Sequence, residues 1–295
     1  MAEVTRFLLE PYQFAFMQRA LASTVIVGVL CAVIGAFVVW KGLAFIGDAL
    51  AHSSFAGVAI AFVFGRSIYL GAAIAAVVTA LSIAFVSRRS RLSFDTSIGV
   101  VFSFAFSLGI VVMSRVRNYT VDLMGFVFGN VLGVGVEDLV LISMAGVVVI
   151  GLIVLLYKEL FFVAFDPVMA EASGLPVAAL QYLLLAMLGV TVVVSMKAIG
   201  IVLVVAMLVT PAATASLLTR RFHRIMLVGS ALSVVSSVLG LYLSFYANVA
   251  SGGAIVFVST TFFLFVLGWA AVTARLARLT RLAPEESTAP IAEAA

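Results

Sequence analysis

The sequence predicts an all-α, polytopic membrane protein of about eight to nine transmembrane helices. Three observations carry that prediction. Of its 295 residues, 64% are apolar and 10% charged, where a soluble globular chain is nearer half apolar and a quarter charged. The mean hydropathy is +1.29. Apolar runs of about 20 residues recur along the chain. The arginines gather in the short stretches between them, the pattern of cytoplasmic loops.

The elements follow in order. Residues 1–13 mix Phe7, Leu8, Leu9 and Tyr12 with Glu3, Arg6 and Glu10. The segment is too short and charged to span, and reads as an interfacial N-terminal segment. No removable signal peptide is expected. A single transmembrane domain over 14–282 comes next. Its first spans are expected at about Ala15–Val39, Leu43–Phe64 and Ile68–Val86, with Trp40 and Lys41 as an interfacial anchor. The cluster Arg88-Arg89-Ser90-Arg91 places the end of the third span in the cytoplasm. The fourth span, about Phe94–Ser114, starts with Ser93 and Asp95, an acidic first turn that suits the helix dipole. Residues 115–136 hold too short an apolar stretch to cross and read as a short helix or re-entrant segment. Their glycines at 125, 129 and 133 suit close packing.

A span at about Glu137–Tyr157 leads to the polar stretch Lys158–Pro176. Within it Asp166 can cap a helix, Pro167 can occupy its first position, Glu171 is exposed, and Gly174 can end it before Pro176. That predicts a two-turn surface helix over about 166–176. Spans at about Val177–Met196 and Ile199–Leu218 are expected to turn at Lys197-Ala198, with Pro211 disturbing the second. Arg220, Arg221, His223 and Arg224 form the next basic loop, and His223 reads as solvated. Spans at about Ile225–Ala247 and Ala254–Thr273 complete the set. The tail 283–295 is rich in Ala, Glu and Pro and reads as a disordered cytoplasmic tail. Nine spans put the N-terminus outside and the basic loops inside.

Several classes are excluded. The net charge of +4 belongs to short loops, not to a basic soluble face for nucleic acid. None of the three lysines, Lys41, Lys158 and Lys197, lies in a phosphate-binding loop, so the chain does not itself hydrolyse ATP. No protease or esterase motif is present. Cys31, the one cysteine, reads as a small buried hydrophobe. What stands out is Asp48 with His52. They lie four residues apart in an apolar run, so a helix puts them on one face. A carboxylate in hydrocarbon costs about 2.5–3.5 kcal/mol on mild scales, so it is paired or lines a polar route. One oxygen and one nitrogen donor suit a borderline divalent cation such as Zn²⁺ or Mn²⁺. A simple ion pair between packed helices fits the spacing equally well.

Phe16-Met17-Gln18-Arg19-Ala20-Leu21 and Gly47-Asp48-Ala49-Leu50-Ala51-His52 resemble the membrane permeases of the zinc/manganese ABC importer family, the ABC-3 type metal permeases. The resemblance continues through Phe128-Gly129-Asn130-Val131-Leu132, Phe165-Asp166-Pro167, Gly174-Leu175-Pro176 and Leu208-Val209-Thr210-Pro211-Ala212-Ala213-Thr214-Ala215. It covers some 250 residues, all but the termini. It implies a type II importer-like permease working as a homodimer in the bacterial plasma membrane. Its partners would be two cytoplasmic ATPase subunits, which bind the ATP, and an external metal-binding protein. No cofactor would be permanently bound, and Zn²⁺ or Mn²⁺ would be the cargo. By this resemblance Asp48 and His52 are pathway metal ligands. Asp166, Pro167, Glu171 and Gly174 belong to the coupling helix that docks on the ATPase. An ATP-independent secondary metal-cation transporter and a structural membrane scaffold are the other readings that a buried Asp/His pair admits.

Overall fold

The computed structural model describes residues 10–90, 92–115 and 131–282. The expected interfacial segment before Glu10, Arg91, most of the segment 115–136 and the tail 283–295 lie outside the described residues. The described chain forms eleven α-helices: α1 Ala15–Trp40, α2 Ile46–Val63, α3 Ile68–Arg89, α4 Phe94–Met113, α5 Val136–Leu155, α6 Tyr157–Phe165, α7 Pro167–Ala172, α8 Val177–Ile199, α9 Ile201–Leu218, α10 Phe222–Ala247 and α11 Ser251–Leu282. Among the described residues, nine are long and apolar enough to cross a membrane, all except α6 and α7.

Two helix groups share the core. In one, α1 packs against α9 and α10, and α11 closes over those two. In the other, α2 packs against α3 and α4, with α8 against α3. Helices in lipid gain little from burying apolar faces, so close approach depends on small residues. Gly57 of α2 faces Gly71 of α3 so closely that a Cβ on either would collide with the other's carbonyl oxygen. Gly35 of α1 meets the carbonyl of Leu208 in α9 in the same way. Cys31 is fully buried in α1, as a small hydrophobe would be. Pro211 leaves α9 unbroken; Thr214 Oγ1 donates to the Thr210 carbonyl at 2.7 Å beside it.

The helix ends segregate as the arginine pattern requires. At one end Trp40 closes α1 within 5.7 Å of Phe222 at the start of α10 and 6.3 Å of Phe165, centroid to centroid. Tyr157 and Phe161 join the same cluster, at 6.4 and 5.2 Å from Phe222. Arg88 at the end of α3 donates to Gln181 near the start of α8 at 3.1 Å. At the opposite end Phe14 approaches Phe245, 6.1 Å away. Lys41 follows α1 at the Trp40 end, and burial pushes its ammonium below the usual lysine range.

Two expectations change. The stretch 158–176 holds two helices, because α6 precedes the short helix; Tyr157, Phe161 and Phe165 recur every four residues, the first two packing on Phe222 and the exposed Phe165 lying against Trp40. The turn between the sixth and seventh spans is at Gly200, not at Lys197-Ala198. Gly200 has φ 84° and ψ 162°, a conformation open to glycine alone. Lys197 therefore stays in the last turn of α8. Its Nζ lies 2.8 Å from Asp138 Oδ1 of α5 and 4.3 Å from the Tyr69 ring centroid of α3.

Candidate functional site

Asp48 and His52 occupy the first two turns of α2. The entry to that helix begins where α1 ends: Lys41 N–H donates to the Phe37 carbonyl and Leu43 N–H to that of Val38, at 3.0 and 2.9 Å, closing α1 in a turn. Helix α2 then starts at Ile46, three residues later than hydropathy alone places it, because Leu43, Ala44 and Phe45 are apolar yet belong to the turn. Asp48 thus lies at the helix N-terminus, where exposed N–H groups favour an anion. The next residue back, Gly47, sits under Leu208 of α9; a Cβ there would be 2.6 Å from Leu208 Cδ2. The first turn of α2 is therefore seated directly on α9.

The two side chains meet. His52 Nε2 is 3.3 Å from Asp48 Oδ1. Their side chains are 36% and 48% exposed, respectively. The pair that hydropathy places inside an apolar span is thus only partly buried, and it opens from the surface of the chain. Among the described residues, no group of three or more His, Cys, Asp or Glu could hold a metal ion. The pair supplies one imidazole nitrogen and carboxylate oxygens, a donor set that suits a divalent transition ion but fills only half a tetrahedral shell. Phe102 and Phe106 of α4 flank the imidazole. Nothing in the sequence pattern assigned them a role.

The expected surface helix is present as α7. Asp166 caps it, its Oδ1 accepting from Met169 N–H at 2.9 Å, and Pro167 fills the first helical position. Gly174 ends it with φ +84°, and Leu175 N–H returns to the Ala170 carbonyl at 3.1 Å. Glu171 is exposed, as are Phe165, Val168 and Met169, whereas Ala170 is buried. The four residues named from the sequence thus form, cap and end one short helix, set beside Trp40 through the ring of Phe165. His223 is exposed in the first turn of α10. The structure does not bring α7 and the Asp48–His52 pair together.

A family model described as the ABC 3 transport family matches residues 13–270. The chain belongs to this family. The match spans all nine candidate membrane helices except the last few residues of the ninth. Within the family, the chain is 43% identical over 263 residues to the manganese transport system membrane protein MntC of Halalkalibacterium halodurans, covering 89% of this chain and 90% of that protein. It is 35% identical over 285 residues to the chelated iron transport system membrane protein YfeD of Yersinia pestis, covering 95% and 96%. Among solved structures, PsaBC from Streptococcus pneumoniae in complex with Fab superimposes with a TM-score of 0.77 at 33% identity, covering 89% of this chain and 95% of that one. The ABC-3 fold is thus shared along essentially the full transmembrane domain.

Proposed function

We propose that the chain is the membrane permease subunit of an ATP-driven ABC importer for divalent transition-metal ions. It is a multi-pass protein of the bacterial plasma membrane, and not an enzyme in its own right. The observation that carries the proposal is the contact of Asp48 with His52 at the open face of α2, in a chain that belongs to a transport family over 13–270. A carboxylate and an imidazole at the surface of one protomer are an incomplete shell, which a second copy of the permease, carbonyls or water would complete. An incomplete shell also suits transport, because the ion must leave again.

Mn²⁺ is the best supported cargo, since MntC at 43% identity is a manganese transport protein; Zn²⁺ suits the same two donors. An external binding protein would deliver the ion to the permease dimer. Two cytoplasmic ATPase subunits would bind ATP and close on each other. The capped helix α7, exposed at Val168, Met169 and Glu171, would carry that closure to the transmembrane helices as their docking element. The aromatic contacts Phe165–Trp40 and Phe161–Phe222 tie α6, which leads directly into α7, to the ends of α1 and α10.

The test is growth of a deletion strain in media depleted of manganese, zinc and iron in turn. The proposal expects a manganese-limited defect that the intact chain corrects. Growth indifferent to the chain under all three limitations would overturn it.

A further inference from the structure

A ligand histidine on an open helix face has to be held in one plane if it is to present a nitrogen to an ion. Helix α4 supplies a brace. The Phe106 ring stands 6.0 Å from the imidazole of His52 at an interplanar angle of 77°, an edge-to-face arrangement. Phe102, one turn earlier, lies 6.3 Å from the imidazole and stacks on Phe106 at 5.8 Å and 23°. Phe55, three residues beyond His52 on α2, also lies 6.0 Å from Phe106. The Phe106 ring thus sits in a notch between His52 and Phe55, with Phe102 behind it.

The depth of that notch depends on a glycine. Gly109 lies three residues beyond Phe106, on the same side of α4. A Cβ there would be 2.9 Å from Phe55 Cδ1 and 3.0 Å from the backbone N and Cα of Ala56. Those last two atoms cannot swing away as a side-chain tip can. Helix α4 therefore reaches α2 this closely because residue 109 lacks a side chain, and that approach sets the distance from Phe106 to His52.

We infer that Phe106, backed by Phe102 and set at its distance by Gly109, is the positioning residue for the metal-binding imidazole of His52. The inference rests on the ligand role proposed for His52. The phenyl rings lie against the imidazole, whose Nε2 faces Asp48. The ring edge holds the imidazole plane. A residue of similar volume without a ring fills the notch but does not hold that plane.

The experiment uses the purified permease–ATPase complex and Mn²⁺ itself. Mn²⁺ affinity is read from loss of the free-ion electron paramagnetic resonance signal, and imidazole ligation from the nitrogen coupling of the bound ion. An edge-to-face aromatic pair corresponds to roughly two- to ten-fold in affinity. Phe106→Leu is expected to weaken Mn²⁺ binding by that factor and diminish the nitrogen coupling, with the complex still intact on size-exclusion chromatography. Phe106→Tyr, which keeps the ring, is expected to retain both. Gly109→Ala, which alters no group near the ion, should move both readouts in the direction of Phe106→Leu. Wild-type affinity and coupling in Phe106→Leu, or equal loss in Phe106→Tyr, would overturn the brace while leaving His52 a ligand. A wild-type complex with no histidine coupling, or coupling unchanged in His52→Ala, would overturn the ligand role and the brace with it.

Discussion

Replacing Gly57 by Ala tests how α2 is held. A Cβ at this position would collide with the Gly71 carbonyl oxygen and lie 2.6 Å from the Ala75 Cβ. Ordinary contact begins at 3.4 Å, so α3 must give way by at least about 0.8 Å, and the obstacle includes backbone that no rotamer change removes. Overpacking of this kind costs about 1–3 kcal/mol. In a domain of this size each kcal/mol is worth roughly 2–4 °C, so the detergent-solubilised protein should lose several degrees in Tm. Gly151→Ala is the matched control. Gly151 lies in α5 with nothing within 4 Å of an added Cβ, and Ala is better than Gly in a helix by about 0.5–1 kcal/mol. Its Tm should stay level or rise. Gly57 is five residues beyond His52, about 7.5 Å along the axis, so the same substitution should also reduce metal uptake. Equal Tm values for Gly57→Ala and wild type, or equal losses in both variants, would refute the reasoning.

Other substitutions address separate links. Lys197 and Asp138, with side chains 23% and 26% exposed, tie α8 to α5; a charge-assisted bond here contributes about 1.5–3 kcal/mol at most, and a double-mutant cycle with Lys197→Met and Asp138→Asn should show a coupling of that sign in Tm. Glu171→Arg or Gly174→Pro should leave the permease assembled but lower the metal transported per ATP hydrolysed; an unchanged ratio would remove α7 from coupling. For Lys41, burial lowers the folded pKa below 10.5. The unfolded chain then binds more protons between the folded pKa and 10.5, so the stability of the wild type relative to Lys41→Met should rise with pH across that window; a flat difference would contradict the burial of this ammonium.

Much of the fold was legible because hydropathy and length together define a membrane span. The fourth span, expected at Phe94–Ser114, is helical from Phe94 to Met113, and its Ser93 cap accepts from Thr96 N–H at 3.2 Å. The cap and stop of α7 were legible from Asp166, Pro167 and Gly174, since these residue types carry local backbone rules. Hydropathy failed where apolar residues form a turn, as at 43–45, and where a helix carries charges, as Lys158 and Glu159 do in α6. It also could not show which faces are open. The four-residue spacing placed Asp48 and His52 on one face of α2, but their partial exposure follows from how α2, α4 and α9 pack. Contacts distant in sequence left no local signal: Lys197 finds Asp138 59 residues away, and Phe106 reaches His52 from another helix.

The central claim is that Asp48 and His52 bind the transported ion. Uptake of radioactive manganese into cells carrying wild type, Asp48→Asn or His52→Ala, with permease abundance and ATPase co-purification measured in the same cells, tests it most directly. The account predicts that both variants assemble normally and lose uptake. Wild-type uptake in either variant at equal abundance would contradict it.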